Sequence, residues 1–219
     1  MSSEAKKPNY TQLTDAQLQW PHWVYQWICI QLIHIYVSLF YTLRIHGREN
    51  KPKEWKPCVV ACNHISSLDP PLVSVALDYM PISYMAKLEL FEKPLMRLYN
   101  WLMSSFAVNR EKLEISTVKT AMKVLKHGKW SLGIFPEGTR KKDGTEDGGG
   151  AKKGVAYFAK MGKVPVLPLA MVHSVQANGR KRIDIQIGKL IPPEDDIDAF
   201  TEKIQKTIQA MADETRSKL

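Results

Sequence analysis

From Arg44 to the C-terminus, short apolar runs of strand length alternate with stretches whose apolar residues recur every three or four positions. Residues 58–62, 82–86, 106–108, 132–135 and 164–172 read as strands, the last despite Pro165 and Pro168. Ile183, Ile185 and Ile187 alternate with polar residues as a half-exposed strand does. Between these runs, residues 70–79, 94–103 and 153–161 read as helices. Ile115, Val118, Met122 and Leu125 form a helical stripe that stops at Gly128. Ile197, Phe200, Ile204, Ile208 and Met211 mark a closing amphipathic helix behind Pro192-Pro193. Parallel strands need long crossovers, which such helices supply. The pattern therefore predicts an α/β fold with a mixed, largely parallel central sheet flanked by helices. A chain of 219 residues fits one such domain with an appendage. No repeat is visible, and residues 141–153, with Gly148-Gly149-Gly150 and mixed charges, read as a loop.

The appendage comes first. Residues 1–19 are polar and lack the apolar stretch of a signal peptide. After Trp20-Pro21, residues 22–43 contain no Lys, Arg, Asp or Glu, and about 20 such residues suffice to span a bilayer. Trp20, Trp23, Tyr25 and Trp27 cluster at the start, with Tyr36 and Tyr41 toward the end, as in an interfacial aromatic belt. Gln31, His34, Ser38 and Thr42 trace a neutral polar stripe down one helical face. A helix so marked is expected to lie in one leaflet or to turn its polar face onto the following domain, ahead of a full crossing. Arg44 and Arg48 favour the cytoplasmic side for the domain they open.

The net charge of +9 suits an anionic partner such as an acidic membrane or a phosphorylated substrate. Nucleic acid is not expected as a partner, because the aromatic residues concentrate in the membrane-like segment rather than among the basic ones. Cys29, Cys58 and Cys62 are an odd set in a chain too long to need disulfide staples, which fits a reducing compartment. Cys58, Cys62 and His64 lie along one predicted strand without a fourth ligand nearby, so buried cysteines are expected there and no metal.

Chemistry concentrates in two places. Asn63-His64-Ile65-Ser66-Ser67-Leu68-Asp69 follows the first of these apolar strands and precedes Pro70. That position is the carboxyl end of a strand, where open α/β sheets build their sites. An imidazole with an acid to orient it is a general-base pair. Asp69 before Pro70 is also a good helix N-cap, so one oxygen is expected to cap while the other receives the imidazole N–H. Phe135-Pro136-Glu137-Gly138-Thr139-Arg140 leaves another apolar run and offers donors to an anion. A base and an anion clamp together suggest group transfer onto a phosphorylated alcohol.

These residues resemble the lysophosphatidate and glycerol-phosphate acyltransferase family, in particular the 1-acyl-sn-glycerol-3-phosphate acyltransferases. Residues 63–69 carry its His-x4-Asp pair, and Ser104-Ser105-Phe106-Ala107-Val108-Asn109-Arg110 corresponds to its second block. Residues 135–140 match the third block, and Val164-Pro165-Val166-Leu167-Pro168-Leu169 the proline-bearing fourth. Lys87-Leu88-Glu89-Leu90 also resembles a family segment, and the likeness spans about residues 44 to 190. The second block commonly opens with glycine where this chain has Ser104.

The resemblance implies a glycerol-phosphate acyltransferase-like fold, with residues 1–43 as a polar arm plus membrane-associating helical segment and residues 44–219 as the catalytic domain. It implies transfer of a fatty acyl chain from an acyl thioester, acyl-CoA or acyl-carrier protein, to the sn-2 hydroxyl of 1-acyl-sn-glycerol 3-phosphate. The product is phosphatidate for phospholipid biosynthesis. Glycerol 3-phosphate or another lysophospholipid is the alternative acceptor, and a non-catalytic basic membrane module the alternative of another class. His64 is implied as general base and Asp69 as its orienting acid. Arg110 and Arg140 are implied to grip the acceptor phosphate with help from Lys87. Gly138 and Thr139 would supply donors, and Glu137 would orient the loop or contact the glycerol. No cofactor is implied beyond the acyl donor, and membrane lipids are the expected surroundings, at the cytoplasmic face of a bacterial inner membrane.

Overall fold

The computed structural model describes residues 10–19, 22–52, 54–109, 114–136 and 153–219. Its seven strands are β1 (Tyr41–His46), β2 (Val59–Cys62), β3 (Ile82–Lys87), β4 (Phe106–Val108), β5 (Ser131–Ile134), β6 (Val166–Val175) and β7 (Lys181–Ile187). They form a single sheet in the order β1-β7-β6-β2-β5-β3-β4. All neighbours run parallel except β6 and β7, which are antiparallel. The expected mixed, largely parallel sheet is therefore present. The helices are α1 (His22–Phe40), α2 (Asp69–Ala76), α3 (Pro94–Leu102), α4 (Ile115–Lys126), α5 (Gly154–Gly162) and α6 (Ile197–Ser217).

Side chains alternate across the pleat, so each central strand feeds two cores. Val59, Ala61, Val166, Ala170 and Val172 meet Val124, Phe158, Phe200 and Ile204 of α4, α5 and α6 on one face. Val60, Cys62, Leu167, Leu169 and Met171 meet Ile30 and Val37 of α1 and Leu72 and Val73 of α2 on the other. Cys58 and Cys62 are buried here, as the strand pattern predicts. Pro168 is tolerated in β6 because its ladder with β7 begins one residue later, at Leu169 opposite Ile187. Its carbonyl still accepts the Gly188 N–H, and that of Pro165 accepts the Val59 N–H.

Helix α1 ends sooner than the uncharged run predicts. Tyr41 opens strand β1, so Thr42 belongs to the sheet edge and bonds Gln176 rather than extending a helical stripe. Arg180 donates to the carbonyls of Ser38, Leu39 and Tyr41, satisfying the end of the helix. The face turned to the domain is mixed: Ile30 and Val37 enter the core, and polar side chains flank them. His22 bonds the Trp101 carbonyl, Gln26 bonds the carbonyls of Ile82 and Met103, and His34 bonds the Tyr79 hydroxyl. Trp23, Trp27, Leu32, Ile35, Leu39 and Phe40 point outward, with Leu39 67% exposed. Leu95, Leu98 and Trp101 of α3 are exposed too, and Trp101 packs against His22 and Tyr25 of α1. An exposed apolar surface of this extent marks a contact with a partner or a membrane.

Ser104 adopts a left-handed backbone conformation, with φ of +48°. This is the conformation glycine takes most readily. The serine side chain offsets part of the strain by donating to the Gln17 carbonyl.

Candidate active site

Three adjacent parallel strands, in the order β6-β2-β5, end at the same edge of the sheet and supply the groups of the site. His64 lies two residues past β2, Phe135 one residue past β5, and His173 near the end of β6. This is the edge where strand carboxyl ends meet helix starts, the usual place for a site in such a sheet.

Asn63 sets the exit of the chain from β2. Its side-chain amide donates to the Met171 carbonyl at 2.9 Å and accepts the Met171 N–H at 2.7 Å. The amide thus continues the ladder with β6 by one step, while the backbone turns away and presents His64. The imidazole stacks on Phe135, with ring centroids 4.3 Å apart, and Phe135 in turn faces Tyr84 at 6.0 Å. Gly133 makes room for this stack, because a Cβ there would fall 2.3 Å from the Tyr84 ring. The Tyr84 hydroxyl donates to the Pro70 carbonyl, fixing the ring against the start of α2.

His64 Nδ1 lies 2.8 Å from Asp69 Oδ2. The same oxygen accepts the N–H of Ile65 at 2.6 Å and of Ser66 at 2.7 Å. Asp69 therefore does not cap α2 from outside, as its place before proline suggests. The helix begins at Asp69 itself, and its carboxylate reaches back to collect the loop that leads from His64. The physical cause is simple: residues 65–68 curl around the carboxylate and use donors closer than those of the helix. Bonding through Nδ1 leaves Nε2 directed away from the carboxylate, available to take a proton. The His64 side chain is 15% exposed, enough for access from one side.

Asp69 is fully buried. Burial pushes its carboxyl up, but His173, His64 and the N–H groups of Ser66 and Ile65 outweigh that and hold it below the usual carboxylate range. At neutral pH it therefore carries a negative charge beside the imidazole.

Of the other residues expected at the site, Lys87 closes β3 at the same edge, where its Nζ pairs with Glu89 Oε1 at 2.8 Å. Arg110, Glu137, Gly138, Thr139 and Arg140 lie outside the described residues. Among the described residues, no cluster of three His, Cys, Asp or Glu is arranged to hold a metal ion. Three contributors have no role expected from the sequence: the bridging amide of Asn63, the ring of Phe135 beneath the imidazole, and His173, whose Nε2 faces Asp69 Oδ1 at 3.6 Å. Asn63 and Phe135 stand inside the recognised blocks, so a structural part for them is readable only once the strands are paired.

A family model described as Acyltransferase matches residues 42–172. A 1-acyl-sn-glycerol-3-phosphate acyltransferase of Bacillus subtilis is 34% identical over 142 residues, covering 65% of this chain and 68% of that protein. One from Streptococcus pneumoniae is 27% identical over 184 residues, covering 78% of this chain and 66% of that protein. The crystal structure of the 1-acyl-sn-glycerophosphate acyltransferase PlsC from Thermotoga maritima superposes with a TM-score of 0.69 at 22% identity, over 87% of this chain and 79% of that one. That likeness speaks for the fold. The matched model takes in more than half of the chain, with β2, the loop that joins His64 to Asp69, and most of β6 inside it, and on that ground the chain belongs to the acyltransferase family.

Proposed function

We propose that this acyltransferase moves a fatty acyl chain from an acyl thioester to the sn-2 hydroxyl of 1-acyl-sn-glycerol 3-phosphate. One observation carries the chemistry: an imidazole held at Nδ1 by a buried carboxylate, with Nε2 left over. Nε2 takes the proton of the acceptor hydroxyl as that oxygen attacks the thioester carbonyl. Asp69 stabilises the imidazolium that results, and the proton then goes to the departing thiolate. The acceptor is itself the nucleophile, so no acyl-enzyme is needed. A base of this type is worth about 10²–10⁴ in rate. The names of the bacterial relatives support lysophosphatidate as acceptor. The motif resemblance supports Arg110 and Arg140 as its phosphate grip, with Glu137, Gly138, Thr139 and Lys87 beside them, and acyl-CoA or acyl-carrier protein as donor.

The same proposal takes in the membrane. The outward apolar face of α1 and the neighbouring Leu95, Leu98 and Trp101 would rest in one leaflet, bringing a bilayer-borne acceptor to the sheet edge. Helix α1 is long and apolar enough to cross a bilayer, but its inward polar groups are engaged by the domain, which favours lying flat. The proposal assigns residues 1–43 to membrane association and residues 44–219 to catalysis, with β1 beginning at Tyr41, just ahead of that boundary.

The decisive experiment profiles purified protein in detergent micelles against lysophosphatidate, glycerol 3-phosphate and lysophosphatidylcholine, each with acyl-CoA and acyl-carrier protein, with His64→Ala as control. Turnover of lysophosphatidate that vanishes in the control supports the proposal. Preference for another acceptor, or no acyl transfer at all, overturns it. For the membrane, Leu32→Asn with Leu39→Asn should weaken binding to anionic vesicles and spare turnover in micelles. Unchanged vesicle binding would remove the leaflet contact.

A further inference from the structure

We propose that His173 is a positioning residue, whose Nε2–H donates to the free oxygen of Asp69 and holds the carboxylate in the plane that orients His64. This rests on the catalytic reading of the His64–Asp69 pair.

The two oxygens of Asp69 are unequally satisfied. Its Oδ2 accepts three hydrogen bonds, while Oδ1 is buried and has no partner among the described residues. His173 Nε2 is buried and equally without a partner. The two atoms face each other at 3.6 Å. A buried carboxylate oxygen and a buried ring nitrogen are each costly when left alone, and here each is what the other lacks. A carboxylate only accepts, so the ring nitrogen turned toward it carries the proton. A small rotation of the His173 side chain closes the bond.

The fold puts His173 there. On β6, Leu167, Leu169 and Met171 face the α1 and α2 side of the sheet, and His173 follows at the next position of that face. Met171 is clasped by Asn63 on both its N–H and its carbonyl, which fixes the register of β6 against the loop that carries His64. His173 therefore approaches Asp69 from the strand, opposite the side used by His64 and the backbone of Ile65 and Ser66. With donors on both oxygens the carboxylate cannot turn about its Cβ–Cγ bond. Its Oδ2 then stays aligned with the His64 Nδ1–H while positive charge comes and goes on that ring. In this role His173 acts through the carboxylate and not on substrate.

Two variants separate this role from packing. His173→Leu keeps bulk and removes the donor, whereas His173→Gln returns an amide N–H near the same point. The expected result is that His173→Leu lowers kcat about tenfold, with KM for acceptor and donor little changed, and that His173→Gln recovers it to within about twofold. Protein labelled with 15N-histidine gives an independent readout. The His64 Nδ1–H resonance should move upfield and broaden in His173→Leu and return in His173→Gln. Wild-type kcat in His173→Leu, or equal losses in the two variants, overturns the proposal. Should His173→Leu not fold, His173→Ala takes its place in the same comparison. If the wild-type chain transfers no acyl group to lysophosphatidate, the functional reading falls and the resonance decides alone: an unchanged His64 signal in His173→Leu removes the positioning role.

Discussion

Two imidazoles in this molecule sit 2.8 Å from a fully buried aspartate, His64 beside Asp69 and His46 beside Asp184. By distance alone they are the same device. They differ in where the negative charge goes. Asp184 also receives both Nε and Nη2 of Arg182, at 2.6 and 2.7 Å, so its charge is already matched by a guanidinium. Around Asp69 the neighbours are the backbone N–H groups of Ile65 and Ser66 and the rings of His64 and His173, with no guanidinium or ammonium among the described residues. The rings differ as well. His64 gives its Nδ1 to the carboxylate and leaves Nε2, the nitrogen far from its own backbone, turned away from it. His46 spends Nε2 and keeps the nitrogen beside its own main chain. It is also 44% exposed, and it lies toward the other end of the sheet, on a strand that runs opposite to β2. A short histidine–aspartate contact is thus no evidence of a catalytic base until the charge balance and the free nitrogen are accounted for.

That contrast can be broken by substitution. The largest effect is expected for His64→Ala, which should lower kcat on lysophosphatidate by about 10²–10⁴ with a folded protein, as read by thermal melting. Asp69→Asn should cost about 10² in kcat, because the amide cannot stabilise the imidazolium. Activity within twofold of wild type in either variant would put the two pairs on an equal footing. Asp184→Asn belongs to stability instead: a loss of about 1–3 kcal/mol in urea unfolding, with kcat in micelles little changed.

Acid should act on both carboxylates in one direction. Neighbouring donors hold each below the ordinary carboxylate range, Asp69 through His173, His64, Ser66 and Ile65, and Asp184 through Arg182 and His46, in both cases against burial. A carboxyl depressed in the folded state contributes stability that is complete above its unfolded pKa of about 3.9 and is lost as pH falls through the lower folded value. The thermal midpoint should therefore fall on acidification below about pH 4, and less steeply in Asp184→Asn than in wild type. An equal slope in the two proteins would deny Asp184 its part. The smallest effect is expected for His46→Ala, with kcat within about twofold of wild type. A large loss there would mean that the second pair works after all.

Much of the architecture is legible in the chain, and the gaps have physical causes. The strands and helices after Arg44 announce themselves because apolar period changes between neighbours, from two to 3.6. Strand β1 does not, since Tyr41, Thr42 and Leu43 continue an uncharged run without Gly or Pro to mark the break. It exists because β7, far along the chain, pairs with it from Tyr41 opposite Lys181 to His46 opposite Gln186. The orientation of α1 is half readable. The polar stripe predicts a polar side on the domain, and His34 follows it, but the buried polar residues are His22 and Gln26, which the stripe omits. Nothing in an apolar helix tells which of its few polar groups will meet an open carbonyl.

The His64–Asp69 contact is local enough to be written in the chain, since five positions and a turn-forming loop bring the two together with few torsions to choose. Only the assembled sheet settles which histidine–aspartate pair is matched by a guanidinium, that His173 faces Asp69, and which apolar residues of α1 stay exposed. Those outcomes hang on the register of strands distant in sequence, which a local pattern of residues does not encode.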